Sequence, residues 1–557
     1  MATLPAILKK HVLNKPDDSA IRFLTLDKCE EISYKELAEG SAAYAHALRQ
    51  AGIEAGEPVV IILQHGQPLV FAFFGTMLNG SIPSIMPYLT EKLSPERYRE
   101  SLRSLIEITR PAAIITYPAF ASEVEQATRP EDSIRAVLLS TEIEPIESLE
   151  MDQWPGLDRS PGDIVLLQHS SGTTGLQKGV ALSHQAVMNQ ITAYSAAIAL
   201  TEEDVVVSWL PLYHDMGLIA GFLMPILAGN PLVLMSPFEW VRAPYRLMQA
   251  VSSYHGTLTW LPNFAYNFCA RKTRDRDLEG VNLSSWRAVI NCSEPMRHAS
   301  HEAFYERFKP YGFRRGALAT CYAMAENVFA VTQGGIDAEV RVDIIDRVKL
   351  QEDRIALPTD AGSHAIHMLS AGKPIPNTEV CILDQDHQIL PERRLGEVAL
   401  RSDCMLTGYY HREDLSADAF HDGWYLTGDL GYLAERELYV TGRRKELIIV
   451  GGKNIYPQDL EELASEVPGV HPGRLVAFGI FNEAIGTEDV VIIAEADEID
   501  EDERRRIKAE IREKISNGSD VTARYVEIVD RMWLIKTSSG KVARNANRDK
   551  YLQHFHG

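Results

Sequence analysis

From Pro58 to Thr90 the chain carries no Asp, Glu, Lys or Arg. A stretch that long without charge has to be buried, either in a bilayer or in a protein core. Its punctuation decides which. Pro68, the run Asn79-Gly80-Ser81, Pro83 and Pro87 cut it into "VVIIL", "PLVFAFFGTML" and "SIPSIM", each too short to span a membrane. Strand, helix, strand is the reading that remains. Strands this apolar must be covered on both faces, as in a parallel sheet with helices packed against it.

The same grammar repeats along the chain. "AAIITY", "AVLLS", "DIVLLQ", "DVVVSWL", "PLVLM", "GTLTWL" and "AVINCS" read as short buried strands separated by helical segments, up to about residue 440. A chain of 557 residues exceeds what one core supports, so at least two domains are expected. The character changes after "YVTGRRKELIIVGGKNIYP". There Pro457 opens a helix, Ile507, Ile511 and Ile515 mark the buried face of another, and "LVAFGIF", "DVVIIAEA" and "RYVEIV" supply strands. The expectation is an α/β protein: a large N-terminal domain of layered α/β subdomains over residues 1–443, and a small mobile α+β C-terminal domain over residues 444–557.

A formal charge of −21 argues against a nucleic-acid partner, because binding to phosphate backbones needs surplus Lys and Arg. The N-terminus "MATLPAILKKHVLNK" has its lysines after a very short apolar run, the wrong order for a secretory signal, and no segment reads as transmembrane. A cytoplasmic protein is expected. The six cysteines lie far apart without a CxxC pair, so reduced buried thiols are expected rather than a zinc site or disulfides.

Directly after the strand "DIVLLQ" comes "HSSGTTGLQKG", His169 to Gly179, with three glycines, four hydroxyl side chains and one lysine. Glycines let backbone N–H groups approach an anion, hydroxyls donate to it, and a lysine neutralises it, so the composition suits a phosphate cradle. It is not a Walker loop, which places Ser or Thr directly after its lysine; here Gly179 follows Lys178. In isolation it could equally be a polar surface turn.

Further stretches give it context. "SSGTTGLQKG", "LPLYHDMG", "CYAMAEN", "GWYLTGDLG", "GRRKELIIVGGKNIYP" and "KTSSGKVAR" follow one another in the order and spacing of the adenylate-forming superfamily. On these motifs the chain resembles acyl-CoA synthetases, luciferases and peptide-synthetase adenylation domains, nearly from end to end. The resemblance implies a two-step reaction: a carboxylate attacks the α-phosphate of ATP, pyrophosphate leaves, and a nucleophile takes the acyl group from the adenylate. Both first reactants are anions, so the site must supply positive charge and position.

Carried over motif by motif, Ser170, Ser171, Gly172, Thr173, Thr174, Gly175 and Lys178 would enclose the β- and γ-phosphates. Glu326 would hold Mg²⁺, a hard cation suited to carboxylate and phosphate oxygens. Tyr322 would lie against adenine, Asp429 would accept from the ribose hydroxyls, and Arg443 would contact the nucleotide. Lys541 would reach the carboxylate and α-phosphate from the small domain, stabilising charge as it develops. His214 would gate the acyl site. Trp260, Asn263, Phe264 and Ser293 would line the acyl pocket, and Lys445 would be the hinge about which the small domain turns.

Between Glu326 and Ser370 lie 43 residues. The extra piece, about residues 340–366 ("RVDIIDRVKLQEDRIALPTDAGSHAI"), resembles the insertion of fatty acyl-AMP ligases, as do "PNFAYNFCARK", "SEPMRHASHEAFYERFKPYGFR" and "NIYPQDLE". In that group the insertion restrains the small domain, disfavours CoA and leaves the acyl group to a carrier's pantetheine thiol. Val342, Ile344, Ile345, Val348 and Leu350 suggest a segment that docks on the protein. No carrier domain follows Gly557, so with the resemblance a fatty acid substrate and a separate acyl carrier protein as acceptor are expected.

Departures from the family pattern fall at Gln177, where proline is usual, at His169, where an aromatic is common, and at Trp260-Leu261, where small residues often stand. The last suggests a narrowed tunnel and a shorter or unusual acid. A fatty acid–CoA ligase, a ligase of another carboxylic acid (Asp215 leaves room for an amino acid), and a non-catalytic nucleotide-binding relative stay open beside the fatty acyl-AMP ligase.

Overall fold

The computed structural model describes the chain except residues 1–2, 26–27, 89–94, 171–177, 337, 361, 363, 451–452, 472, 484, 497–499, 520, 538–540 and 556–557. The uncharged stretch folds as its punctuation requires: strand Pro58–Ile61, helix Gln67–Leu78, strand Ile82–Ile85. Both strands are buried at every position. They pair in parallel, and Pro58–Ile61 pairs on its other side with Ala113–Thr116. Beyond Ile82–Ile85, the contact with strand Ile164–Ser170 is a single register pair, Ser84 with Leu167. Pro83 has no N–H to add to that ladder. No helix among the described residues is long and apolar enough to cross a membrane.

Among the described residues this sheet has seven strands, and a second has nine. The middle of the second is parallel: Leu318–Ala323, Ala288–Asn291, Leu258–Leu261, Val206–Ser208, Leu232–Met235 and Ser19–Leu24, in that spatial order. One apolar core joins the two sheets and the helices between them. The carboxyl ends of Leu258–Leu261, Ala288–Asn291 and Leu318–Ala323 stand side by side, the usual place for a ligand in open α/β sheets.

The strand–helix alternation expected up to about residue 440 stops earlier. Thr378–Leu383, Gly396–Ser402, Trp424–Ala434 and Glu437–Arg443 form an antiparallel sheet. Trp424–Ala434 and Glu437–Arg443 are joined by a tight hairpin, whereas the connection from Gly396–Ser402 to Trp424–Ala434 carries the short helix Glu413–Asp418 and still returns antiparallel.

The expected insertion is a hairpin of Val342–Asp346 with Ala365–Leu369, carrying helix Arg347–Glu352. Ile345 and Leu350 are buried against Leu395, Leu430, Tyr432 and Tyr439, so the segment is docked on the antiparallel sheet. Ile344 and Val348 are half-buried, and Val342 is exposed.

Toward the C-terminus, strands Leu475–Asn482, Thr487–Glu495 and Ala523–Val529 form a separate sheet with its own core. Helices Pro457–Ser465 and Glu501–Gly518 cover one face, where Ile507, Ile511 and Ile515 are fully buried. Helix Arg544–Phe555 packs Tyr551 against the other.

Candidate active site

Two groups of side chains converge where the carboxyl ends of the parallel strands meet the antiparallel sheet. The first surrounds Asp429. The ladder between Trp424–Ala434 and Glu437–Arg443 sets Asp429 opposite Arg443, whose Nε donates to Oδ1 at 3.2 Å. From the end of strand Leu318–Ala323, Tyr322 donates its hydroxyl to Oδ2 at 2.5 Å. Burial, and then the charge of Asp429, push the Tyr322 phenol well above its ordinary range, so it stays a donor. The Arg443 guanidinium is raised, chiefly by Asp429, and stays charged.

Glu326 follows in the turn Ala325–Asn327. Its Oε1 accepts from the Tyr409 hydroxyl at 2.9 Å, and Tyr409 is bonded in turn to Tyr425 at 3.0 Å. Burial raises the Glu326 carboxyl above its ordinary value, and the charge of Asp215 adds to that. Two residues on, Val328 has φ +61° and ψ −53°, and the Phe329 N–H bonds the Asn327 carbonyl at 2.6 Å. This is a γ-turn of the strained hand, rare for a β-branched residue. Strain of this kind costs on the order of 1–3 kcal/mol and gathers at functional sites. The turn is held by Asn327 Nδ2, which donates to the Ala330 carbonyl at 2.7 Å.

Lys178 starts strand Lys178–Ser183, and its Nζ lies 4.8 Å from the centre of the Tyr409 ring. Lys178 is thereby brought near Glu326, whose Oε1 accepts from the same Tyr409. Ser171, Gly172, Thr173, Thr174 and Gly175 lie outside the described residues, and of Ser170 only the backbone is described, paired with Lys178.

The second group lines a cleft of about 360 Å³. Trp209, Leu210, Met216, Pro262 and Phe264 give it apolar walls; His214, Ser293, Glu294 and Lys541 give it polar ones. Lys541 comes from the C-terminal part of the chain, and its Nζ donates to the Ser293 carbonyl. Ser293 has φ +68°, another left-handed non-glycine residue at the site. His214 Nδ1 lies 2.6 Å from Asp215 Oδ1. Burial works to raise the Asp215 carboxyl, but His214, the Met216 N–H and Lys541 together hold it below its ordinary value.

Not every residue expected in the acyl pocket lines this cleft. Trp260 is fully buried behind it, with its indole N–H donating to the Tyr194 hydroxyl at 2.7 Å. The tryptophan on the cleft is Trp209, stacked at 3.5 Å on Trp240, with Phe264 edge-on to both. Asn263 is a strut: its Oδ1 accepts from Asn291 Nδ2 at 3.1 Å and from the Arg297 N–H at 3.0 Å, fixing the segment that carries Ser293. Lys445 lies exposed in the turn Arg444–Glu446, between the two parts of the chain.

The sequence reading passed over Glu397, Tyr409 and Arg297. Glu397 is buried; it accepts from the Gly428 N–H at 3.0 Å and from Arg444 at 2.8 Å, bracing the turn before Asp429. A buried glutamate in "GEVAL" would have been the signal, since an unpaired carboxylate is not tolerated there.

Residues 8–410 match the family model of the AMP-binding enzyme. The chain belongs to the AMP-binding enzyme family. Among curated relatives, the medium-chain fatty acid–acyl carrier protein ligase JamA of Moorena producens is 29% identical, the alignment covering 94% of this chain and 90% of JamA. A putative acyl-CoA synthetase of Caulobacter vibrioides is 30% identical over 95% of this chain and 91% of its own. A solved structure from work on fatty acyl-adenylate ligases of E. coli and L. pneumophila superposes with a TM-score of 0.89 at 28% identity, covering 100% of this chain and 98% of that one. The layered α/β architecture of this AMP-binding enzyme is thus that of adenylate-forming enzymes.

Proposed function

We propose that this AMP-binding enzyme is a fatty acyl-AMP ligase, which activates a fatty acid with ATP and hands the acyl group to the phosphopantetheine thiol of a separate acyl carrier protein. The observation that carries the reading is the position of Lys541, inside an apolar cleft beside His214, with the Asp429–Tyr322–Arg443 cluster and Glu326 nearby in the fold. A fatty acid would lay its chain against Trp209 and Phe264 and its carboxylate near His214 and Lys541. The carboxylate oxygen attacks the α-phosphorus, the bond to the β-phosphate oxygen breaks, and pyrophosphate leaves with that electron pair. Lys541 stabilises the charge spreading over the reacting oxygens, Asp429 orients the ribose, and Lys178 with the hydroxyl-rich loop holds the departing phosphates.

Mg²⁺ is bound mostly by phosphates, with one or two carboxylates from the protein. Glu326, a half-buried carboxylate with one oxygen tied to Tyr409, fits that need. Mg²⁺ there would neutralise phosphate charge, and Glu326 would hold it.

The division into residues 1–443 and 444–557, with Lys445 as the pivot, belongs to this proposal. Its support is the separate C-terminal core and the exposed turn between the parts. The insertion touches the C-terminal part: Arg347 donates to the Gly518 carbonyl, and Lys453 pairs with Glu352 at 2.7 Å. Such contacts favour the orientation in which Lys541 is in the cleft and disfavour the turn that CoA would need.

The likeness to a putative acyl-CoA synthetase keeps a CoA ligase as the second reading. Incubation with ATP, a panel of fatty acids and either CoA or a phosphopantetheinylated carrier separates the two. Acid-dependent pyrophosphate release, with acyl-adenylate accumulating when only CoA is present, is expected; rapid acyl-CoA formation would overturn the assignment.

A further inference from the structure

Arg297 belongs to the larger part of the chain, but its guanidinium faces the smaller. Nη2 donates to the Gln458 carbonyl at 3.0 Å, and Nη1 lies 2.7 Å from Glu462 Oε2 and 3.6 Å from Asp459 Oδ1. All three acceptors lie on helix Pro457–Ser465. A planar guanidinium holds several acceptors in fixed directions, so such a contact specifies orientation as well as proximity.

The other side of Arg297 is equally fixed. Its backbone N–H donates to Asn263 Oδ1, which also receives Asn291 Nδ2, while Asn263 Nδ2 donates to Ser300 Oγ at 3.1 Å. The segment from Asn291 to Arg297 is therefore tied at both ends, and it carries the Ser293 carbonyl that receives Lys541. One short segment meets the C-terminal part twice, through Ser293 and through Arg297. From the same helix, Gln458 Nε2 donates to the Thr441 carbonyl at 2.6 Å, two residues from Arg443. The helix is thus referenced to both halves of the candidate site.

Resting on the adenylation reading, we infer that Arg297 is a positioning residue for the first half-reaction. It sets the C-terminal part in the orientation that brings Lys541 into the cleft. It has no role in the later transfer to the thiol, for which Lys541 must withdraw. A displacement of about 1 Å in a reacting group can lower a rate on the order of a hundredfold, so an interdomain contact of this kind controls the step that needs Lys541.

The test is Arg297→Glu, which sets like charges against Asp459 and Glu462, beside the reciprocal double variant R297E/E462R. Arg297→Ala serves where the reversal does not fold. The single variant should lower acid- and ATP-dependent pyrophosphate release by about tenfold or more. It should leave transfer from supplied acyl-adenylate to the carrier thiol unchanged or faster, and the double variant should recover release. A readout independent of catalysis is tryptic cleavage at the exposed Arg443–Lys445 segment, which the single variant should accelerate and the double variant restore. Wild-type release and cleavage in Arg297→Glu, or equal loss of both half-reactions, would overturn the inference. A wild-type protein that releases no pyrophosphate with any acid would instead sink the proposed function, and the cleavage comparison would still decide the role of Arg297.

Discussion

The Tyr322 hydroxyl donates to Asp429 Oδ2 at 2.5 Å while Arg443 holds the other oxygen. Both carboxylate oxygens of Asp429 are thereby held in a fixed direction, and the proposed function has them accept from the two ribose hydroxyls. Hydrogen bonds to a charged acceptor contribute about 1.5–3 kcal/mol each. Asp429→Ala should therefore raise the KM for ATP on the order of tenfold to a hundredfold, with a smaller rise for Tyr322→Phe. Titration of ATP in a pyrophosphate-release assay checks both, and an unchanged KM in Asp429→Ala would remove the ribose role.

The contribution of Lys541, like that inferred for Arg297, should divide cleanly between the half-reactions. Lys541→Ala should suppress acyl-adenylate formation on the order of a hundredfold or more, the usual cost of losing a preorganised transition-state charge. Transfer from supplied acyl-adenylate should persist. Single-turnover assays of each step read the difference, and a wild-type adenylation rate refutes the assignment.

Glu326 carries a pH dependence. Its carboxyl is raised by burial, so it takes up a proton at a higher pH than an ordinary glutamate does. A protonated carboxyl cannot hold a cation, so apparent Mg²⁺ affinity should fall on the acid side sooner than an ordinary glutamate would dictate. Glu326→Gln should need far more Mg²⁺ and lose that acid limb. Rate against Mg²⁺ concentration at several pH values tests it; an acid limb unchanged in the variant would assign the dependence elsewhere.

Most of the parallel strands were legible because burial on both faces leaves them without charged residues at their centres, and the glycine and proline breaks gave their limits. That same feature hid which tryptophan faces the cleft. In "DVVVSWL" and "GTLTWL" residues on both faces are buried, Ser208 and Thr259 as fully as Trp260, so alternation along the strand does not say which tryptophan meets the cleft. Arg297 was unreadable for another reason. Its partners are about 160 residues away on a helix whose charges look like an ordinary solvated face.

The two aromatic residues give opposite expectations. Phe264 lies on the cleft, so Phe264→Ala should shift preference toward bulkier or longer acids with little loss of stability. Trp260 is packed behind, and Trp260→Ala should destabilise by about 3–5 kcal/mol, the range for truncating a buried aromatic. Acid profiling beside thermal unfolding distinguishes them; an altered acid profile in a stable Trp260→Ala would return that residue to the pocket.

His301 links the site to stability. It is buried, stacked on Tyr266 at 5.0 Å, and its Nε2 faces Asn291 Nδ2 at 3.0 Å, so the ring must be a neutral acceptor. Burial, with the charge of His298 adding to it, lowers its pKa to about 3. In the unfolded chain the same imidazole titrates near 6.5. Between those values the unfolded state binds the proton and the folded state does not, so stability rises with pH across the window. The contribution is whole above about 6.5 and is lost as pH falls, at a limiting slope of about 1.4 kcal/mol per pH unit. His301→Asn, which has nothing to protonate, should flatten the fall of the thermal midpoint between pH 6.5 and 4.5. The buried His184, lowered to about 4, acts in the same direction and should leave part of the slope in place. Equal slopes in the two proteins would mean that His301 is already protonated in the fold, and Asn291 would then lose its acceptor.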